Sequence, residues 1–215
     1  MPLPTLTRRY ALTLAAAGAA LALSACQGGG GSDVAEGEMT LGRADAPVTV
    51  IEYASVTCVH CATWNADVWP AFKTKYVDSG QVRYVFREIL TPPYPIASAG
   101  FLLARCAGKE KYFEVVDALF RSQQQMATEE PRTVLLRVAQ SSGMTEAQFN
   151  ACVTNEEELE ALNSREERWS TQEHVNTTPT FVIGDTRIDG AKPLESFDSI
   201  IQPLLAKKQA PAAGG

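Results

Sequence analysis

The part of this 215-residue chain that could do chemistry on its own is Cys58-Val59-His60-Cys61. Two residues between the cysteines let their side chains meet across one helical turn, so the pair can exist as a dithiol or a disulfide and interconvert by thiolate attack. Only the thiolate is a nucleophile, so reactivity depends on what holds the Cys58 thiol below its ordinary pKa of about 8.5. His60 lies between the two cysteines. As a donor or partial cation it stabilises the Cys58 thiolate and hence the reduced form, which makes the disulfide a better oxidant. Glu52 stands six positions before Cys58 inside an apolar run. Burial there raises a carboxyl pKa and lets the group pass a proton to or from Cys61; the alternative is a solvent-facing glutamate on an edge strand. Zinc is the main rival for the cysteines, but a closed zinc site takes four ligands, and beyond the other cysteines the chain offers His174 and no second C-x-x-C. Haem attachment needs histidine after the second cysteine, where this chain has Ala62. An inert structural disulfide is the remaining reading.

The elements around the motif bear on that choice. Residues 47–53 form a β-branched run, with Val48, Val50 and Ile51, that reads as a largely buried strand. Residues 62–76 carry Trp64, Val68, Trp69 and Phe72 at helical spacing, with Pro70 bending the helix or marking a break. The aromatics are most simply core. The motif therefore occupies a strand-to-helix turn, where unpaired backbone N–H groups and the positive end of the helix dipole favour a thiolate.

Compartment follows from the N-terminus. Arg8 and Arg9 precede an apolar run over residues 10–23 that ends in Leu23-Ser24-Ala25-Cys26, so residues 1–25 read as an export signal. That run is shorter than the roughly 20 residues a spanning helix takes. Leu-Ser-Ala-Cys resembles the lipobox of bacterial lipoproteins, which makes Cys26 the lipidated first residue of the mature chain; ordinary cleavage nearby is the alternative. The glycine run 28–31 then belongs to a flexible tether, residues 26–39, and residues 208–215 form a disordered tail. Outside the cytoplasm disulfides persist, so the remaining thiols sit where their oxidation is useful. Gln27 is not the aspartate that would suggest inner-membrane retention, and the choice of membrane stays open. The whole chain has 19 basic and 25 acidic residues. Loss of Arg8 and Arg9 leaves 17 basic residues and a more acidic protein, which argues against nucleic acid as a partner. With 45% hydrophobic and 20% charged residues the composition is that of an ordinary globular domain rather than a disordered or polytopic one.

Residues 50–55 (Val-Ile-Glu-Tyr-Ala-Ser), Cys58-Val59-His60-Cys61 and, far downstream, Thr177-Thr178-Pro179-Thr180-Phe181 together resemble the DsbA-like family of thiol:disulfide oxidoreductases, over about residues 40–207. The resemblance implies an α/β thioredoxin fold with an inserted helical domain. It implies that Cys58 is the nucleophile and Cys61 the resolving thiol, and that Pro179 is cis beside them. Val59, Thr178 and Pro179 are then the groups that meet an extended substrate. No cofactor is needed beyond the redox-active disulfide Cys58–Cys61 itself. The implied partners are reduced or misfolded secreted proteins and a DsbB-type quinone reductase, and the implied place is the periplasm, lipid-anchored to a membrane. Two positions depart from the better-known members: Val59-His60 stands where they have Pro-His, and Thr177 where many have glycine.

The rest of the chain is read on that frame. A thioredoxin-like domain is expected over residues 40–90 and 174–207, with strands at 81–90, 181–183 and 186–189 and a closing helix at 194–205. The helical insertion is expected over 91–173, with helices at 96–107, 112–120, 134–138, 146–153 and from 156 to about 169; Glu156 to Glu160 form a solvated helix face. Cys106 and Cys152 fall on two of those helices among apolar neighbours. In an oxidising compartment they read as a structural disulfide worth about 3 to 4 kcal/mol, as in some DsbA-like relatives, against two buried free thiols. His174 reads as structural or exposed. The function expected is an exported dithiol oxidase, most simply a monomer because residues 33–45 are too short for the dimerisation domain of isomerases. A reductase or isomerase is the alternative within the same chemistry. A non-catalytic lipoprotein that captures copper through Cys58, Cys61 and His60 is the alternative outside it.

Overall fold

The computed structural model describes Val34 and residues 37–209. The export signal, Cys26 and the end of the tail lie outside those residues. Five strands form one mixed sheet in the order β1-β3-β2-β4-β5: β1 is Met39–Leu41, β2 Val48–Ala54, β3 Val82–Glu88, β4 Thr180–Ile183 and β5 Thr186–Asp189. β2 runs parallel to β3 and antiparallel to β4, so it is the middle strand, hydrogen-bonded on both sides. Its side chains alternate between two apolar layers. Val50 and Ala54 face one cluster with Trp64, Phe72, Tyr84, Phe86, Phe181 and Phe197, while Ile51 and Tyr53 face another with Val85, Ile89, Trp169 and Val175. Glu52 shares the face of Val50 and Ala54, inside the larger cluster.

The chain leaves β2 through a short turn into α1 (Val59–Asp67), breaks at Val68, and continues as α2 (Trp69–Phe72) with Pro70 in its first turn and a π-helical turn at Lys73–Val77. Pro70 can sit there because the first N–H groups of a helix have no intrahelical partner. The thioredoxin fold carries its inserted helices between β3 and β4: α3 (Tyr94–Cys106), α4 (Tyr112–Arg121), α5 (Gln123–Thr128), α6 (Pro131–Ser141), α7 (Glu146–Val153) and α8 (Glu156–Glu167), the last extended by a π-helical turn at Arg168–Gln172. α3 is the hub, packed against α4, α6, α7 and α8. Cys106 at its end is joined to Cys152 of α7, with Cα atoms 6.2 Å apart. α9 (Leu194–Gln209) closes the fold and carries Lys208 in its last turn, so the tail expected to begin at residue 208 starts later than that.

Two further features differ from the sequence expectation. Residues 38 and 39, expected to belong to the tether, do not: Met39 is buried in β1, which pairs with β3, and Glu38 is bound to Arg87. A three-residue strand gives no alternation to read, and it is held by β3 rather than by its own pattern. α5 was not expected either; its six residues, Gln123 to Thr128, contain a single buried apolar side chain, Met126. No helix among the described residues is long and apolar enough to cross a membrane.

Candidate active site

Cys58 is the N-cap of α1, with extended backbone (φ -82, ψ 119), and its sulfur accepts a hydrogen bond from the Cys61 backbone N–H at 3.4 Å. This is the position at which a capping side chain meets the free donors of a helix's first turn. Cys61 lies one turn on and is fully buried, whereas Cys58 is half-buried, and both are free thiols. Cys58 is thus the thiol a protein substrate can reach. The structure pulls its pKa from 9.0 down to about 5, first because the Cys61 thiol donates to its sulfur and then through Thr178 and the backbone N–H groups of Cys61 and His60, against the opposing effect of burial. Burial pushes Cys61 well above the ordinary range, and the neighbouring Cys58 and Glu52 charges add to that. One thiol is made an anion at the start of the helix, and its partner one turn on is kept protonated chiefly by burial.

The turn before α1 is held from several sides. Cys58 N–H donates to Ser55 O at 3.0 Å. Thr57 Oγ1 donates to Thr91 O at 2.9 Å, beyond the end of β3. Gln123 of α5 donates from Nε2 to Val56 O at 2.9 Å and to Cys58 O at 3.0 Å, so the helical insertion grips the active-site loop through one amide. On the far side the Thr178–Pro179 peptide bond is cis, and Cys58 Sγ lies 3.4 Å from Thr178 O. Pro92–Pro93 is also cis. Val59 (64% exposed) and Tyr94 (57%) are the exposed large hydrophobic side chains among the described residues; Val59 follows Cys58 directly. A concave surface lined by Leu90, Thr91, Tyr94, Glu166, Thr177 and Thr178 leads from Tyr94 to the cis-proline loop.

Beneath the thiols lies Glu52, only 2% exposed on the middle strand, which removes the edge-strand alternative. Burial raises its pKa from 4.5 to about 8, a hydrogen bond donated by Tyr84 lowers it, and the Cys58 charge raises it further. At neutral pH the group is a carboxylic acid, within electrostatic reach of Cys61.

The structure brings Cys58, Cys61, Glu52, Thr178 and Pro179 to one place, with Val59 on its rim. His60 is exposed, and it bears on the Cys58 sulfur through its backbone N–H. Among the described residues no three of His, Cys, Asp and Glu gather to hold a metal ion. His174 is exposed, with a left-handed backbone at φ 52. Cys106 and Cys152 belong to the insertion and take no part here. Sequence reasoning missed Gln123 and Tyr84. Gln123 carries no signal within its run of three glutamines. Tyr84 carried one, since a buried phenol needs a partner and a buried acid needs a donor.

The family model described as Thioredoxin matches residues 34–203. A Rickettsia bellii protein provisionally named protein-disulfide oxidoreductase is 27% identical over 156 residues, 72% of this chain and 60% of the relative. The chain therefore spans about 60% of the length of the first such relatives it matches. Among solved structures, alpha-DsbA1 of Wolbachia pipientis is similar at a TM-score of 0.75 and 26% identity, covering 81% of this chain and 94% of that one. Oxidised BdbD of Bacillus subtilis, at a TM-score of 0.72 and 20% identity, shares the fold over 83% of this chain and 98% of its own.

Proposed function

Because this chain belongs to the thioredoxin family, and within it to the DsbA-like thiol:disulfide oxidoreductases, we propose that it is an exported dithiol oxidase that gives its Cys58–Cys61 disulfide to reduced secreted proteins. The observation that carries the reading is the half-buried Cys58 sulfur at the start of α1, held as an anion while Cys61 stays protonated. A thiolate favoured in the reduced pair makes the disulfide a strong oxidant, since it stabilises the reduced form over the disulfide.

In the reaction a substrate thiolate attacks Cys58 Sγ, the Cys58–Cys61 bond breaks, and Cys61 leaves as a buried thiolate. Glu52, a neutral acid at pH 7, gives it a proton. A second substrate thiolate then attacks the substrate sulfur of the mixed disulfide and Cys58 leaves as a stable thiolate. The substrate loses two electrons and the cysteine pair gains them. Thr178 and Pro179 offer backbone to the extended substrate, Val59 offers apolar contact next to Cys58, and Tyr94 does so on the concave surface that reaches Thr178. Re-oxidation by a DsbB-type quinone reductase, lipid attachment through Cys26 to a periplasmic membrane surface, and a monomeric state complete the reading.

The test is net oxidation of a reduced, unfolded ribonuclease by the oxidised protein under anaerobic conditions. The expected result is one substrate disulfide formed per protein and none with Cys58→Ser. Reshuffling of scrambled disulfides without net oxidation assigns an isomerase instead, and reduction of insulin by the dithiol form at equilibrium assigns a reductase.

A further inference from the structure

The larger core cluster contains two polar side chains that need each other. Tyr84 on β3 is 3% exposed, and its ring is packed against Trp69 at 4.5 Å between centroids, with Phe72 and Phe113 also in ring contact. Those neighbours would hold a phenylalanine equally well. A phenolic hydroxyl in such surroundings is unfavourable unless it is partnered, and here it donates to Glu52 Oε2. The register explains the meeting: Val50 lies opposite Tyr84 and Glu52 opposite Phe86 on parallel strands, so Glu52 and Tyr84 are diagonal neighbours on the same sheet face. Cys61 of α1 is buried in the same apolar cluster, Cys58 packs against that cluster, and both sulfurs are in electrostatic reach of the carboxyl. The titratable groups around Glu52 are thus Cys58 at the cap of α1, Cys61 of α1 and Tyr84 of β3, with Tyr112 of α4 in electrostatic reach of Tyr84. β4 contributes the apolar Phe181 opposite Glu52.

We propose that Tyr84 is a positioning residue of the thiol chemistry: its hydroxyl fixes the Glu52 carboxyl and favours the ionised form that takes the proton from Cys61. The proposal rests on the reading of Glu52 as the proton partner of Cys61. It concerns the step in which the reduced pair is oxidised. After Cys58 has formed a mixed disulfide, the Cys61 thiol passes its proton to the Glu52 carboxylate. The Cys61 sulfur then bonds to Cys58 Sγ, the bond from Cys58 to the departing thiol breaks, and that thiol leaves as a thiolate. A hydrogen bond donated to a carboxylate favours the anion. Without the hydroxyl, burial and the nearby sulfur charge act unopposed, and Glu52 keeps its proton to higher pH.

Stopped-flow reaction of the reduced full chain with a chromogenic aromatic disulfide separates the steps. The first burst of released aromatic thiol reports attack by Cys58, and the second reports attack by Cys61. Tyr84→Phe should leave the first phase and its pH midpoint unchanged and move the midpoint of the second phase upward, with about a tenfold loss of rate at neutral pH for each unit moved. Glu52→Gln should abolish that midpoint, and adding Tyr84→Phe to it should change nothing further. Incorporation of 3-fluorotyrosine at position 84, a stronger donor with an intact ring, should move the second midpoint downward, and this arm stands even if Tyr84→Phe does not fold. If Glu52→Gln alters the second phase while both Tyr84 variants match the wild type, Tyr84 only fills space and the proposal is overturned. If Glu52→Gln itself leaves the second phase unaltered, the proton role of Glu52 fails, and the proposal with it. Equal shifts of both phases in Tyr84→Phe also contradict the proposal.

Discussion

Glu52 is the residue at which this site departs most from ordinary folding economy. In the unfolded chain it ionises around 4.5, and in the fold it stays neutral to about 8. A raised folded pKa means that the native state has its full advantage below the unfolded value and loses it as pH rises through the folded one. The window is therefore about 4.5 to 8. Glu52→Gln, which keeps the shape without the charge, should leave stability nearly unchanged around pH 4 and raise it by on the order of 3 kcal/mol around pH 7, read as a shift in denaturant midpoint. Equal stability of the two proteins across that range would show that the carboxyl is not held neutral. A group that costs the fold this much is better placed for proton transfer than for stability. From the sequence, the oddity of a glutamate in an apolar strand was legible. Its donor was not, because the register that sets Tyr84 diagonal to Glu52 depends on the β2–α1–β3 crossover.

At the scale of elements, the strand-to-helix turn could be read from spacing alone: a β-branched run, two cysteines, then Trp64, Trp69 and Phe72. The exact role of Cys58 as N-cap could not, since it rests on one backbone geometry at the start of α1. The insertion is tied to itself by Cys106–Cys152, which closes a loop with a sequence separation of 46. Removing it as Cys106→Ala with Cys152→Ala should cost about 3 to 4 kcal/mol by the loop-entropy model. Both phases of thiol release from the Cys58–Cys61 pair should be unchanged. Loss of activity without loss of stability would place this disulfide in the redox machinery instead. Gln123 is the element-level link between insertion and site, and no periodicity announces it: it is a polar residue at the first turn of a six-residue helix, and its meaning comes only from Val56 O and Cys58 O.

Over the whole molecule, the sheet is covered on both faces and its end is anchored by a charge cluster. Glu88, at the end of β3 and 1% exposed, binds Arg105 of α3 at 2.6 Å, Arg165 of α8 at 3.2 Å and the Tyr112 hydroxyl of α4 at 3.0 Å. One carboxylate thus holds three inserted helices against the thioredoxin sheet. Breaking such a buried cluster takes the hydrogen-bonded carboxylate from two largely buried guanidinium groups, so Glu88→Ala should lose about 3 to 5 kcal/mol in denaturant unfolding. A change under about 1 kcal/mol would mean that the insertion is held by apolar packing alone. The fold class was legible through the resemblance carried by residues 50–61 and 177–181. The anchoring was not, because Glu88, Arg105 and Arg165 look like ordinary surface charges until α3 and α8 are laid against β3. The same holds for Glu38 and Arg87, which turn the end of an expected tether into part of the sheet.

All of this chemistry depends on Cys58 being an anion under the conditions in which proteins are exported and fold. The most direct measurement is the ultraviolet thiolate absorbance of the fully reduced protein as a function of pH, with Cys58→Ser as the blank. A single inflection near pH 5, absent from the serine variant, is the predicted result. An inflection at the ordinary thiol value of about 8.5 would contradict the account, because the cap of α1 would then do nothing for the sulfur it holds.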